Sequence, residues 1–159
     1  MRHLALTLVL CAIAATLLVG CDYDDESVSG QFGSDRFSAG GMINLTEPVA
    51  GDALLAGGQI DIVSEVKGDL VVAGGEVSVG GGIGDDLYAA GGDVSVDAIV
   101  AGNARVAGGE VEIGPATVIE GGASLTGGRV KFDGSVTGYL QATGGDVRLS
   151  GTVGARRAW

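Results

Sequence analysis

Histidine, cysteine, proline, aromatic residues and positive charge are all scarce in this chain of 159 residues. Its single histidine, His3, lies in an N-terminal leader, so the body of the chain has no histidine to act as a general base. The two cysteines are Cys11, inside that leader, and Cys21, at its end, which excludes a disulfide framework. Nine lysines and arginines face twenty aspartates and glutamates, a formal net charge of −11. That balance argues against nucleic acid or an anionic lipid surface as a partner for the body of the protein. No stretch after residue 21 repeats its apolar residues at a helical period. A phosphate cradle at a helix N-terminus therefore has no foundation here.

Glycine, with 31 residues, is what the chain has in excess. A Gly-Gly pair recurs at Gly40-Gly41, Gly57-Gly58, Gly74-Gly75, Gly91-Gly92, Gly108-Gly109, Gly127-Gly128 and Gly144-Gly145, in steps of 17, 17, 17, 17, 19 and 17 residues. A fixed period of this kind marks a solenoid, in which each repeat is one turn of the stack. The unit is clearest from Val66 to Gly82. Leu70 and Val72 alternate with polar or small residues before the glycines, and Val77 and Val79 alternate after them. This is the two-residue period of strands with one face inward. The inward positions jump from 72 to 77, so a corner lies at Gly74-Gly75, where glycine is expected to provide a positive φ. Val66 supplies a third inward position.

Down the repeats these positions become columns. Val66 aligns with Val49, Ile83, Val100, Ile119, Val136 and Val153. Val77 aligns with Ile43, Ile60, Val94, Val111, Val130 and Val147, and Val79 with Leu45, Ile62, Val96, Ile113, Phe132 and Leu149. The Leu70/Val72 pair varies in compensation, for example Leu87/Ala89 and Ala104/Val106, as expected of two side chains filling one narrow interior. The expected fold is all-β: a single-stranded parallel β-helix of about seven 17-residue coils, right-handed by the rule for parallel crossovers. Its cross-section is a flattened triangle and its length is on the order of 33 Å at ~4.8 Å per coil. The one 19-residue step contains Gly114-Pro115-Ala116-Thr117, read as a two-residue insertion at a corner.

Residues 1–20 read as a lipoprotein signal peptide. Arg2 and His3 precede an apolar run that ends in Leu18-Val19-Gly20-Cys21. This tetrapeptide resembles the bacterial lipobox, which implies cleavage before Cys21 and acylation of its sulfur, with palmitate-type chains holding the protein on a membrane. Asp22 resembles the enterobacterial signal for retention in the inner membrane. Residues 21–38 read as the lipidated cysteine and an acidic, flexible tether, 39–155 as the solenoid, and 156–159 as a C-terminal cap. Phe32 and Phe37 are candidate covers for the first coil. Arg156, Arg157 and Trp159 are candidate end contacts at the other extreme.

Carboxylates form two ladders. Asp35, Asp52, Asp69, Asp86 and Asn103 share one column, and Glu76, Asp93 and Glu110 another. Stacked like charges attract a divalent cation, so Asp52, Asp69 and Asp86 are the candidate ligands, set against a reading in which the aspartates bond to corner backbone. No cofactor is implied. Hexapeptide-repeat acyltransferases resemble this chain in architecture but have 18-residue coils and use a histidine base.

The repeat V-x-G-D-L-x-x-A-G-G-x-V-x-V over residues 34–155 resembles that of the bactofilins, polymer-forming bacterial cytoskeletal proteins. The resemblance implies a right-handed β-helix and a non-enzymatic scaffold. Such a scaffold assembles end to end without nucleotide and organises enzymes of the cell envelope. The lipobox departs from that family, whose members are cytoplasmic. The resulting expectation is a membrane-anchored structural protein of the cell envelope, with itself and envelope proteins as partners. The alternative is a monomeric module that binds polysaccharide, protein or calcium on its acidic face.

Overall fold

Valine, isoleucine and leucine at alternate positions favour extended, half-buried backbone, and the chain lays down that backbone once per repeat. The structure is a computed structural model and describes residues 27–154. Residues 1–20, expected to be a signal peptide, and Cys21, Asp22, Arg156, Arg157 and Trp159 lie outside the described residues.

Among the described residues twelve strands form: β1 (Val28–Phe32), β2 (Asp35–Leu45), β3 (Ala53–Ile62), β4 (Leu70–Val79), β5 (Leu87–Val96), β6 (Ile99–Val100), β7 (Ala104–Ile113), β8 (Val118–Ile119), β9 (Ala123–Phe132), β10 (Ser135–Val136), β11 (Leu140–Leu149) and β12 (Thr152–Val153). The long strands stack in one sheet, in the order β1-β2-β3-β4-β5-β7-β9-β11, and the two-residue strands in a second, β12-β10-β8-β6. Single parallel bridges Val49–Val66, Val66–Ile83 and Ile83–Val100 carry this second side toward the N-terminus. The fold is a parallel β-solenoid of about seven turns.

Register follows the repeat. Leu70 pairs with Leu87, Val72 with Ala89, Val77 with Val94 and Val79 with Val96, each 17 residues on. Val66, Leu70, Val72, Val77 and Val79 are buried together with their column mates from Ile43 to Val136 in one continuous hydrophobic core, while Val147, Leu149 and Val153 of the last coil are exposed. No coil can bury this face alone, so stability comes from neighbour-on-neighbour stacking.

The corner at the glycine pair differs from expectation. Leu70 to Val79 is one ten-residue strand rather than two, and the inward positions change parity across Gly74-Gly75. None of the paired glycines has a positive φ; among the described residues Gly33 alone does, at 65°. Glycine is needed there for close approach instead. A Cβ on Gly75 would sit 2.8 Å from the carbonyl oxygen of Gly58, and one on Gly74 2.9 Å from that of Gly57. The coil below leaves no room for a methyl group.

The 19-residue coil takes up its extra residues at the corner between β7 and β8. The Thr117 amide donates to the carbonyl of Gly114 (3.1 Å), and the Ala116 amide to Asp97 Oδ1 (3.0 Å). The Thr117 hydroxyl turns inward, fully buried, and donates to the Val96 carbonyl at 2.7 Å, so the insertion leaves that buried hydroxyl satisfied.

Residues 28–38 are more ordered than a tether. β1 folds back antiparallel on the start of β2, pairing Val28 with Ala39 and Phe32 with Asp35 around a Gly33-Ser34 turn. The solenoid sheet therefore begins at Val28 rather than at residue 39.

Candidate functional surfaces

The aspartate column sits at the turn that precedes each long strand. Its carboxylates are engaged by the coil that follows. Asp35 Oδ1 accepts from the Asp52 amide (3.1 Å), Asp52 Oδ1 from the Asp69 amide (2.9 Å) and Asp69 Oδ1 from the Asp86 amide (2.9 Å). Asp86 Oδ1 accepts from both the backbone and the side-chain nitrogen of Asn103, at 2.7 and 3.1 Å. Asn103 Oδ1 then accepts from the Gly122 amide at 2.9 Å. The bonds to the aspartates are charge-assisted, and the whole series staples coil to coil. The candidate ligands Asp52, Asp69 and Asp86 thus each direct one oxygen to backbone. Among the described residues no three acidic, histidine or cysteine side chains converge as a metal-binding group.

The second acidic column faces solvent on the other side of the glycine corner. Glu76, Asp93 and Glu110 border a shallow depression with Ser78, Ser95 and Glu112. Its charge reverses one coil later. Arg129 donates to Glu110 at 2.7 Å, and Lys131 to Glu112 at 2.6 Å, with Asp133 at 3.1 Å from the same ammonium. The hydrogen bond to Glu110 raises the pKa of Arg129, and the bonds to Glu112 and Asp133 raise that of Lys131. All five side chains are well solvated or partly so, and surface pairs of this kind contribute little to stability.

A feature not singled out in the sequence lies on the outer face of the first half of each strand. Phe37, Leu54, Val71 and Tyr88 succeed one another in register there, followed by Arg105. Beside them runs the column Ala56, Ala73, Ala90 and Ala107, bounded by the glycine pairs. The stripe is half-buried at Leu54 and Val71 and exposed at Tyr88. Arg105 closes it, with its guanidinium 5.3 Å from the Tyr88 ring centre and Nη1 donating to the Tyr88 hydroxyl at 2.9 Å. The same alternation that marks an inward column also defines an outward one. The stripe was legible as Leu54-Val71-Tyr88 at spacing 17, but the parity argument attends to the inward set.

Phe32 and Phe37 pack edge to face, with ring centres 6.2 Å apart, beside the hairpin turn. Phe37 is half-buried in register with Leu54, and Phe32 is 79% exposed, so its ring does not cover the first core layer. Polar groups surround it instead: Ser27, Ser29, Arg36 and Ser38 line a shallow dent together with Ile43, Leu45 and Leu55. Arg36 pairs with Glu47 at 3.4 Å across the same coil.

No protein-family model matches the chain, and no curated protein or solved structure is significantly similar to it.

Proposed function

We propose that the chain is a non-enzymatic structural scaffold of the bacterial cell envelope, anchored to a membrane through acylated Cys21. The solenoid is its rigid spacer. One observation carries the scaffold part. The stripe of Leu54, Val71 and Tyr88, with the alanine column beside it, is a continuous apolar surface on a rod of net negative charge. The aspartates of the neighbouring ladder are already bonded to backbone. Exposed apolar area rimmed by polar groups is what protein partners use. A bactofilin-like assembly through both ends fits less well, because strand β1 occupies the N-terminal sheet edge over residues 35–39.

Two measurements test this. The full chain should fractionate with membranes and resist extraction by high salt, and Cys21→Ser should release it. Retention of the serine variant on membranes overturns the lipid anchor. A photo-crosslinking side chain at Val71 should give discrete protein adducts in cells, and one at Ser78, on the acidic side, should give few. Equal adducts from both positions, or none from Val71, overturn the docking role of the stripe.

A further inference from the structure

The two ends of the solenoid are finished differently. At the start, Ile43 and Leu45 of the first coil are buried, with Leu45 only 1% exposed. At the last coil the same columns are open: Val147 is 37% exposed, Leu149 55% and Val153 50%. Among the described residues β11 has β9 as its one neighbour and β12 has β10, so one backbone edge of each is unpaired. An unpaired edge beneath an open apolar layer is a template for another strand.

We infer that this C-terminal end pairs with the same end of a second copy of the chain, forming a two-fold symmetric, tail-to-tail dimer that cannot extend further. The pattern of β11 is what selects the occupant. Its inward residues are Leu140 and Ala142 before the Gly144-Gly145 corner, and Val147 and Leu149 after it. This arrangement is a palindrome about the corner. Val153, the inward residue of the remaining side, lies half-way round the coil from that corner. A two-fold axis can therefore pass through the corner and through Val153, perpendicular to the rod. It sets β11 antiparallel to its copy, with Leu140 opposite the second copy's Leu149 and Ala142 opposite the second copy's Val147. Val153 meets its own equivalent on the axis, and both apolar layers close on each other.

The outward residues are compatible with the same register. Thr143 faces the second copy's Asp146, and Gln141 faces the second copy's Arg148, so no like charges are opposed across the junction. Such an interface is isologous and closes at two subunits. The other end is finished differently: β1 lies antiparallel over residues 35–39 of β2, and Ser27, Ser29, Arg36 and Ser38 line a dent there. The inference goes beyond the scaffold reading and does not depend on it. Its test reads pairing whether or not Cys21 carries lipid.

The test is sedimentation equilibrium of the full chain in density-matched detergent. The expected result is a species of twice the chain mass. Leu149→Arg, at a half-exposed position, should raise the dissociation constant roughly tenfold or more, as truncation of a central interface residue does. Val28→Arg, at the hairpin end, should leave it unchanged. A charge exchange guards against misfolding. Val153→Asp and Val153→Lys should each sediment as monomers, and an equimolar mixture should recover the dimer. Four results overturn the inference. The unaltered chain could remain monomeric at the highest concentrations, as it would if its own residues 155–159 covered the end. It could form polymers, or a dimer indifferent to Leu149→Arg. The Val153 mixture could fail to pair.

Discussion

At the N-terminal end of the solenoid the chain doubles back. Strand β1 pairs with residues 35–39, Arg36 bridges to Glu47, and Ile43 and Leu45 are buried, beside a dent they share with Ser27, Ser29 and Ser38. At the C-terminal end the equivalent side chains, Val147 and Leu149, stand half in solvent, and the last long strand has a single neighbour among the described residues. The repeats in between are nearly interchangeable. The difference between the ends therefore cannot come from the repeat; it comes from residues that break it. Arg36 and Ser38 replace aliphatic side chains of the first coil, and the Gly33-Ser34 turn sends β1 back along the edge. A solenoid needs a polar terminus to stay soluble, and among the described residues this one builds it at the N-terminal extreme.

The sharpest way to break the contrast is to delete the same column at two heights. Phe132 is fully buried, and Leu149 is the next member of its column, 55% exposed. Phe132→Ala should cost about 3–5 kcal/mol in urea unfolding. Leu149→Ala should cost less than about 1 kcal/mol for the isolated chain, because most of its surface is already in water. Equal losses would mean that the end layer is covered.

The glycine corner offers a second, smaller test. Gly75→Ala forces a Cβ to 2.8 Å from the Gly58 carbonyl oxygen, whereas at Gly145 the nearest carbonyl, that of Gly128, is 3.3 Å away. The first substitution should destabilise by about 1–3 kcal/mol. The second should be close to neutral, because less strain is set against the ~0.4–1 kcal/mol gained by restricting the unfolded chain. Thermal unfolding of the two variants compares them directly.

The aspartate staples belong to the N-terminal part of the rod, ending where Asn103 bonds to the Gly122 amide. Asp69→Ala removes the acceptor for the Asp86 amide and should cost about 1 kcal/mol, while Asp69→Asn keeps an oxygen in place and should cost less. If Asn were as damaging as Ala in chemical denaturation, charge rather than the hydrogen bond would be the stabilising element.

The columns of Val66, Leu70, Val72, Val77 and Val79 were readable from residue numbers alone, because a two-residue period and a 17-residue repeat leave one way to bury every aliphatic side chain. The insertion at Gly114–Thr117 was readable for the same reason. The hairpin at the start was not. Residues 28–38 are mostly serine, glycine and charge, with Val28, Phe32 and Phe37 as their large apolar residues, and their strand character comes from an edge that exists only once β2 is folded. The Gly33-Ser34 pair between Phe32 and Asp35 was the available clue, a two-residue turn with glycine leading. The reason for the glycine pairs was also hidden. Sequence shows that glycine recurs, but only the stacked coils show that a neighbouring carbonyl fills the space where Cβ would be. Of the candidate surfaces, the aspartate ladder was visible as a column, and its hydrogen-bonded use was one of the two readings open to it. The apolar stripe was visible only to a reader following the outward parity.

Every pairing in the body of this solenoid joins residue i to residue i + 17, apart from the step across the single longer coil. Excising or duplicating one complete turn, such as 70–86, would therefore restore all contacts around the splice. The length of the rod could then change by one strand spacing, ~4.8 Å, at a time, without any new solution to folding. The molecule is in that sense a ruler whose graduations can be added or removed by recombination within its own gene.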